Sequence, residues 1–495
     1  MRRIFRQCGS IALQIKSFAI RYHFLFADAL LQARQNFCQR KEVKAMNREL
    51  SDIIAMVEAG QLDLVFQAAQ EIEDAWDRSH VLRDIAKAMA EAGQFDLALQ
   101  VAQRIEYAWD RSYALAEVAI ATAKAGQFER ALQIAQKIGN ASDCFEALRE
   151  IAAAMAEAGQ FDRVIQIVEK IAQKIESAWS RSWALAEVAI AMAKAGQFER
   201  ALQIAQKIGN EWGCSRALAE IAAEMSEARQ TERVNETFQL ALQAAQKIES
   251  AWSRSWALTE VAAAMVKAGQ TEEANQVFQL ALQTAQKIED AEYRSEAFAE
   301  VAIAMAEAGQ IDRALQIAQK IEDTLERSYA LEEIAAAMAK AGHFDRALQV
   351  AQKIESPWYR SYALAGVATA MAKVGQMERS NQVFQTALQA AQEIEDPLNR
   401  SYAFAEVAAV MAKAGQMEEA NQAFQLALQT AQKIGNAKYH SYALNYTSKA
   451  LAQVGQIDRA VEVAEMIDDP IERLQALAAI IAAKQKAGKG EAGKE

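Results

Sequence analysis

The thirty residues RSYALAEVAIATAKAGQFERALQIAQKIGN (111–140) return as RSWALAEVAIAMAKAGQFERALQIAQKIGN (181–210), changed only at Tyr113/Trp183 and Thr122/Met192. A chain that repeats itself this closely repeats a structural unit. An active site is a single irregular constellation, so the repetition argues against one from the start.

Aligning on the AGQ tripeptide puts one glycine in each unit: Gly60, Gly93, Gly126, Gly159, Gly196, Gly269, Gly309, Gly342, Gly375, Gly415 and Gly455. Arg229, in SEARQ, stands in the same place and completes twelve units. The spacings are 33, 37 or 40 residues. The excesses over 33, four and seven residues, are one and two helical turns. Insertions of whole turns keep a helix face in register, which places the extra residues inside a helix rather than a loop.

Each unit reads as two helices. The first ends at the glycine, which suits a left-handed C′ residue. Its start is marked by the chain's three prolines, Pro357, Pro397 and Pro470, each after a Ser or Asp positioned as an N-cap. The pattern predicts a first helix of about eighteen residues, Pro357 to Val374 for example. The second runs from near Phe344 to Ile354 in a short unit and from near Thr271 to Ile288 in a 40-residue unit. Composition agrees: apolar residues make up 52% but aromatics only 7%, and 20 Gly with 3 Pro supply too little turn chemistry for a β-rich fold.

This pattern resembles the tetratricopeptide repeat family, helix–turn–helix units that stack into a superhelix, over roughly residues 50–484. The longer units carry it best. In AGQTEEANQVFQLALQTAQ, Gly269, the acid pair, Ala274, Phe278 and Ala281 fall where that family places its glycine, acids, small residue, aromatic and second alanine. Short units keep Ala347 but have Ala351 in place of the aromatic. The resemblance implies an all-α, right-handed α-α superhelix, an α-solenoid, of about twelve repeats. The 33-residue period and the usual lack of a closing proline depart from the family, and HEAT-like stacking is the alternative. Ankyrin repeats share the period but need a TPLHxA-like turn, which is absent.

Charge narrows the partners. Net charge is −11, yet residues 1–50 hold ten Lys/Arg against three acids. The repeat body is therefore strongly acidic, which disfavours nucleic acid as a partner. In residues 1–45 the longest uncharged run, Gln7–Ile15, is nine residues, too short to span a membrane. That segment reads as a basic capping helix, a membrane-surface helix, or an over-extended start ahead of Met46; membrane attachment is the least favoured of these. Residues 46–469 form the repeat array, 470–484 a capping helix, and 485–495 a disordered tail. The cysteines Cys8, Cys38, Cys144 and Cys214 show no CxxC and no adjacent His, which fits a reducing, cytoplasmic setting.

On the first helix ending at Gly342, Leu331, Ile334, Ala335 and Met338 make one apolar stripe, expected against Ala347, Leu348, Ala351 and Ile354 of the unit's own second helix. A second stripe, Leu325, Ala336 and Ala339, would meet a neighbouring layer, as a solenoid requires. Between them runs a polar line: Tyr329, Glu333 and Lys340. Its equivalents are Trp183/Glu187/Lys194, Trp256/Glu260/Lys267, Tyr362/Gly366/Lys373 and Tyr402/Glu406/Lys413. In the resembled family this helix lines the inner groove, so the line is the candidate surface for a protein or peptide partner, with carboxylates favouring a basic-amphipathic one. The bland alternative is that the aromatics wedge adjacent layers while Glu and Lys pair across repeats.

Trp76, Trp109, Trp179, Trp212, Trp252 and Trp358, near the starts of first helices, share their place with Leu325, Leu398 and Ile471, which suggests packing. The Arg two residues on (Arg111, Arg254, Arg327 and others) is expected to reach the preceding helix's C-terminal carbonyls. The four histidines occupy unrelated contexts, with no nucleophile partner, metal spacing, phosphate loop or HExxH. No enzyme, metal or cofactor is expected. The function read here is an interaction scaffold; the alternative is a structural spacer or self-assembling array.

Overall fold

The structure is a computed structural model describing residues 74–160 and 178–492, which belong to one compact unit, Leu50–Glu495. The expected N-terminal segment 1–45 and the unit of Gly60 lie outside the described residues.

Every described element is a helix. The layers begin with α1 (Ala75–Glu91) and α2 (Phe95–Gln103), α3 (Ala108–Lys124) and α4 (Phe128–Ala135), then α5 (Ala141–Glu157). Next come α6 (Ala178–Lys194) and α7 (Phe198–Ala205), α8 (Glu211–Glu227) and α9 (Val234–Lys247), α10 (Ala251–Lys267) and α11 (Thr271–Ala285). They continue with α12 (Ala291–Glu307) and α13 (Ile311–Ala318), α14 (Thr324–Lys340) and α15 (Phe344–Gln352), α16 (Pro357–Lys373) and α17 (Met377–Gln392). The last are α18 (Pro397–Lys413) and α19 (Met417–Ala431), α20 (Ala437–Gln453) and α21 (Ile457–Glu465), and the closing α22 (Pro470–Ala492).

The glycine turns form as expected. Ten of the AGQ glycines have φ between 74° and 88°, and Arg229 takes the same conformation at 58°. At Gly342 the His343 N–H reaches Met338 O (2.9 Å) and the Gly342 N–H reaches Ala339 O (3.0 Å), a Schellman closure. Arg229 keeps the same two bonds, to Met225 O from Gln230 and to Ser226 O from its own N–H. A left-handed conformation costs a residue with a Cβ about 1 kcal/mol. Arg229→Gly is therefore expected to stabilise the α8–α9 layer by about that amount, read as slower amide exchange there; unchanged exchange would contradict it.

The quantised spacing resolves into helix length. The second helix has 8 residues in α13 but 15 in α11, so the seven added residues lie within it. The observed bounds, Phe344–Gln352 and Thr271–Ala285, stop two or three residues short of the expected ends. Pro357 and Pro397 open their helices as read, and Asp396 caps through Asn399 N, whereas the Ser356 side chain caps nothing. α22 runs past Lys484 to Ala492, because the Ala, Lys and Gln of the expected tail are good helix formers.

Packing follows the two stripes, with corrections. Ile334, Ala335, Met338, Ala347, Ala351 and Ile354 are buried, as are the exchanged Thr122 and Met192. Leu325 is 57% exposed and Trp109 60%, so at those positions the helix start projects beyond its neighbour rather than packing. Trp212, Trp252 and Trp358 do pack on the core. The recurring Arg acts as a tie: Arg327 Nη1 donates to Ile321 O (2.7 Å), and Arg111, Arg254, Arg294 and Arg360 repeat the bond to the Ile before them. Where Cys144 replaces Arg, its thiol reaches Ala135 O instead.

Each first helix packs on the next, while each second helix sits between its own first helix and the following one. First helices therefore line the inside. The sequence reading did not anticipate the ends: α22 packs along α1, so the described solenoid closes on itself around a lumen.

Candidate functional site

Among the described residues twelve first helices surround the lumen, and most carry the polar line at their sixth and tenth positions. The sixth residue of each helix is half-buried (Tyr113, Trp183, Trp256, Tyr329, Tyr362, Tyr402), as is the tenth in most (Glu117, Glu187, Glu260, Glu333, Glu406), while Lys194, Lys340, Lys373 and Lys413 at the far end are exposed. One turn separates the sixth and tenth residues, and eleven residues of helix separate the sixth from the lysine, about 16 Å along the axis. The lumen thus has aromatic, carboxylate and lysine levels. Around its circumference, three sectors differ.

From α1 to α8 the carboxylates are answered by cations of the same chain. Arg83 Nη1 meets Asp110 (3.0 Å), Lys87 meets Glu117 (3.1 Å), and Arg149 meets Glu150 (2.8 Å) and Glu187 (3.7 Å). His80 Nδ1 also meets Asp110 (3.1 Å); burial and the Arg83 charge lower its pKa. Arg216 is the hub. Its guanidinium lies 5.0 Å from the Trp183 ring centre and 5.7 Å from that of Trp212, and the two indoles stack at 5.0 Å. The same group pairs with Glu187 (2.6 Å) and reaches toward Glu260 (3.8 Å). Trp183 and Glu187, read as candidate partner-binding residues, are therefore engaged within the chain. The signal was in the sequence: Arg216 sits at the sixth position of α8, in CSRALAE.

From α10 to α14 carboxylates crowd together. Glu260, Glu296, Glu300, Glu332 and Glu333 come from three adjacent helices. Burial pushes the Glu260 carboxyl up to about 7, with Arg216 and Trp256 pulling the other way. Burial and the neighbouring Glu296, Glu260 and Glu333 push Glu300 up to about 8. Burial and Glu333 raise Glu332 to about 8. Glu260 keeps 28% of its side-chain surface accessible, yet its Oε2 is shut off without a hydrogen-bond partner. Trp256 meets Trp252 edge-on at 5.1 Å, and Tyr329 lies 6.2 Å from Tyr359. Glu296, Glu300 and Glu332 were not among the residues singled out from sequence, although Glu296 and Glu300 occupy the same sixth and tenth positions.

From α16 to α20 the lumen is lined by tyrosines. Tyr362 stacks on Trp358 (5.1 Å), and Tyr402 meets Tyr446 at a tilt (4.3 Å). The Tyr446 hydroxyl donates to Glu406 Oε1. Burial raises the pKa of all three tyrosines, and the Glu406 charge adds to it for Tyr362 and Tyr446. Tyr446 takes the place where most layers have a carboxylate, and Gly366, two layers earlier, leaves that place without a side chain. At the seam Asn445 donates to Glu472 and Gln475, and Lys449 to Gln475 (3.3 Å); burial lowers the lysine's pKa, with the Asp84 charge of α1 opposing it.

Among the described residues no group of His, Cys, Asp and Glu could hold a metal ion, and no helix is long and apolar enough to cross a membrane. Over the described residues the structure is an all-helical α-solenoid.

No family model matches the chain, and no curated protein matches it. Solved structures do. Ton1535 from Thermococcus onnurineus NA1 is 19% identical over 74% of this chain and 98% of its own, at a TM-score of 0.30. A circular tandem repeat protein is 14% identical over 86% of this chain and 100% of its own, at 0.21. The STAND protein with a tetratricopeptide repeat sensor, PH0952 from Pyrococcus horikoshii, is 16% identical over 74% of this chain and 64% of its own, at 0.26.

Proposed function

We propose that this protein is an interaction scaffold whose lumen binds a basic-amphipathic segment of a protein partner. One observation carries the reading: α10, α12 and α14 bring Glu260, Glu300, Glu332 and Glu333 close together beside the aromatics Trp256, Tyr329 and Tyr362. Like charges held this close raise one another's pKa, and a partner's Lys or Arg relieves that cost. Aromatics add contact area with few rotatable bonds, which is why Trp and Tyr dominate interface hot spots. Twelve helices at about 9 Å between axes enclose a lumen on the order of 20 Å wide, room for one helix or extended strand rather than a folded domain.

The test replaces Trp256 and Tyr329 with Ala and Glu260 and Glu333 with Gln, then measures binding of an amphipathic Lys/Leu/Ala peptide of about eighteen residues. At least a tenfold loss is expected, about 1.4 kcal/mol or more. A change within about twofold, with the helical signal intact, would mean that the line is only a solvated face.

Self-assembly is favoured by one feature, the exposed Tyr107 (49%), Trp109 (60%) and Leu325 (57%) at the first helices' N-terminal rim. A concentration-independent monomer mass in light scattering would remove that reading.

A further inference from the structure

Within α16, Gly366 stands mid-helix in the alanine-rich run AGVATAMAK. It stands at the tenth position, where α14 has Glu333 and α18 has Glu406, and it is exposed toward the lumen. Glycine inside a helix is destabilising relative to alanine, because it loses more backbone freedom on folding. Its backbone is ordinary helix, so no positive φ requires it. Packing does not require it either, because an added Cβ would meet no atom within 4 Å. The chain thus carries a destabilising residue at a lumen position where neither conformation nor packing asks for one.

The surroundings show what this notch suits. One turn below it is the Tyr362 ring, stacked on Trp358. At its own level on either side are Glu333 and Glu406, the latter fixed by the Tyr446 hydroxyl. The same chemistry is satisfied internally a few layers away. There Arg216 lies over the Trp183 and Trp212 rings while bridging toward Glu187 and Glu260 on the flanking first helices. That is a guanidinium on an aromatic face between carboxylates of adjacent layers, a favourable cation–π and ion-pair combination. Around Gly366 the chain supplies the aromatics and carboxylates but no cation of its own at the equivalent position, Tyr362.

We propose that Gly366 is a specificity notch: one Lys or Arg of the bound segment inserts over Tyr362, between Glu333 and Glu406, where Arg216 sits in its own layer. This rests on the proposed binding of a basic segment in the lumen and adds the position of the anchoring cation. A side chain at residue 366 would occupy the path of the incoming stem. Variation here therefore tunes which partner is accepted without disturbing the core.

The experiment compares Gly366→Ala and Gly366→Leu with the wild type, using the same Lys/Leu/Ala peptide and a set in which each Lys is replaced singly by Gln. Helicity by circular dichroism should be kept or slightly raised in both variants. Gly366→Leu should weaken the parent peptide at least tenfold and Gly366→Ala by a smaller factor. One Lys→Gln peptide should bind the wild type about as weakly as the parent peptide binds Gly366→Leu, and should lose nothing further on Gly366→Leu. If Gly366→Leu binds the parent within about twofold of wild type while the Trp256/Tyr329/Glu260/Glu333 variant fails to bind, the notch is overturned and the lumen reading stands. If the wild type does not bind the peptide, both are overturned.

Discussion

Phe278→Ala is expected to destabilise its layer by about 3–5 kcal/mol, among the largest effects of any single truncation in this chain. Phe278 is completely buried in α11, and Phe238, Phe384 and Phe424 repeat it in the other described long units. In the short units the same place, nine residues after the turn, is alanine: Ala318 in α13 and Ala351 in α15, both completely buried. The longer second helix and the larger side chain therefore go together, the phenyl ring filling what a methyl fills beneath a short helix. Removing it leaves a cavity that two extra turns of helix hold open. Solenoid layers unfold in a nearest-neighbour manner, so a single melting temperature would blur the effect. Amide exchange across α10, α11 and α12 is the appropriate measurement, and it should speed up there while α20 and α21 are unaffected. Loss of less than about 1 kcal/mol would mean that the layer collapses onto the site.

Local features of the fold were legible because each is a short-range signal. A glycine at fixed spacing marks the Schellman turn, whole-turn insertions mark helix, and a basic residue after each helix start marks the tie to the preceding carbonyls. Arg229 with its φ of 58° shows how firmly the turn is imposed. The Ser that opens the repeated RS motif was passed over, although Ser112 Oγ accepts the Asn140 N–H (3.1 Å) and Ser295 Oγ the Asp323 N–H (3.2 Å), tying one first helix to the start of the next. Closure of α22 on α1 was not legible at all. It is the sum of small rotations between layers, each set by how closely Ala and Leu let neighbouring helices approach, and no single residue encodes that sum. The lumen face was legible as a line, but its division into sectors was not. Reading each layer by type hid most of the exceptions that create the sectors: Arg216 among the aromatics, Glu296 in place of one, and Tyr446 among the carboxylates; Gly366 alone stood in the line as read.

Those sectors lead to the second large effect, on pH. Glu300 faces Glu296 and Glu307 on its own helix, Glu260 on α10 and Glu333 on α14, and its carboxyl is pushed up from 4.5 to about 8 by burial first and these neighbours second. Glu332 is raised to about 8 and Glu260 to about 7. The folded array thus holds more protons than the unfolded chain between about pH 4.5 and 8, so stability falls as pH rises through that window and levels off above it. Glu300→Gln should flatten this decline and raise stability near pH 9 by on the order of 1–2 kcal/mol, a fraction of the full shift because the side chain keeps contact with solvent. A steep decline unchanged in Glu300→Gln would place the titrating groups elsewhere. A cationic partner should show the opposite trend. The carboxylates must ionise to receive it, so affinity of the Lys/Leu/Ala peptide should rise at least tenfold from about pH 6 to about pH 9 at constant salt. In the Glu260/Glu333→Gln background the remaining rise should be smaller. If peptide affinity is flat across this range while stability declines as expected, the carboxylates titrate but do not receive the partner, and the α10–α14 sector is not its seat.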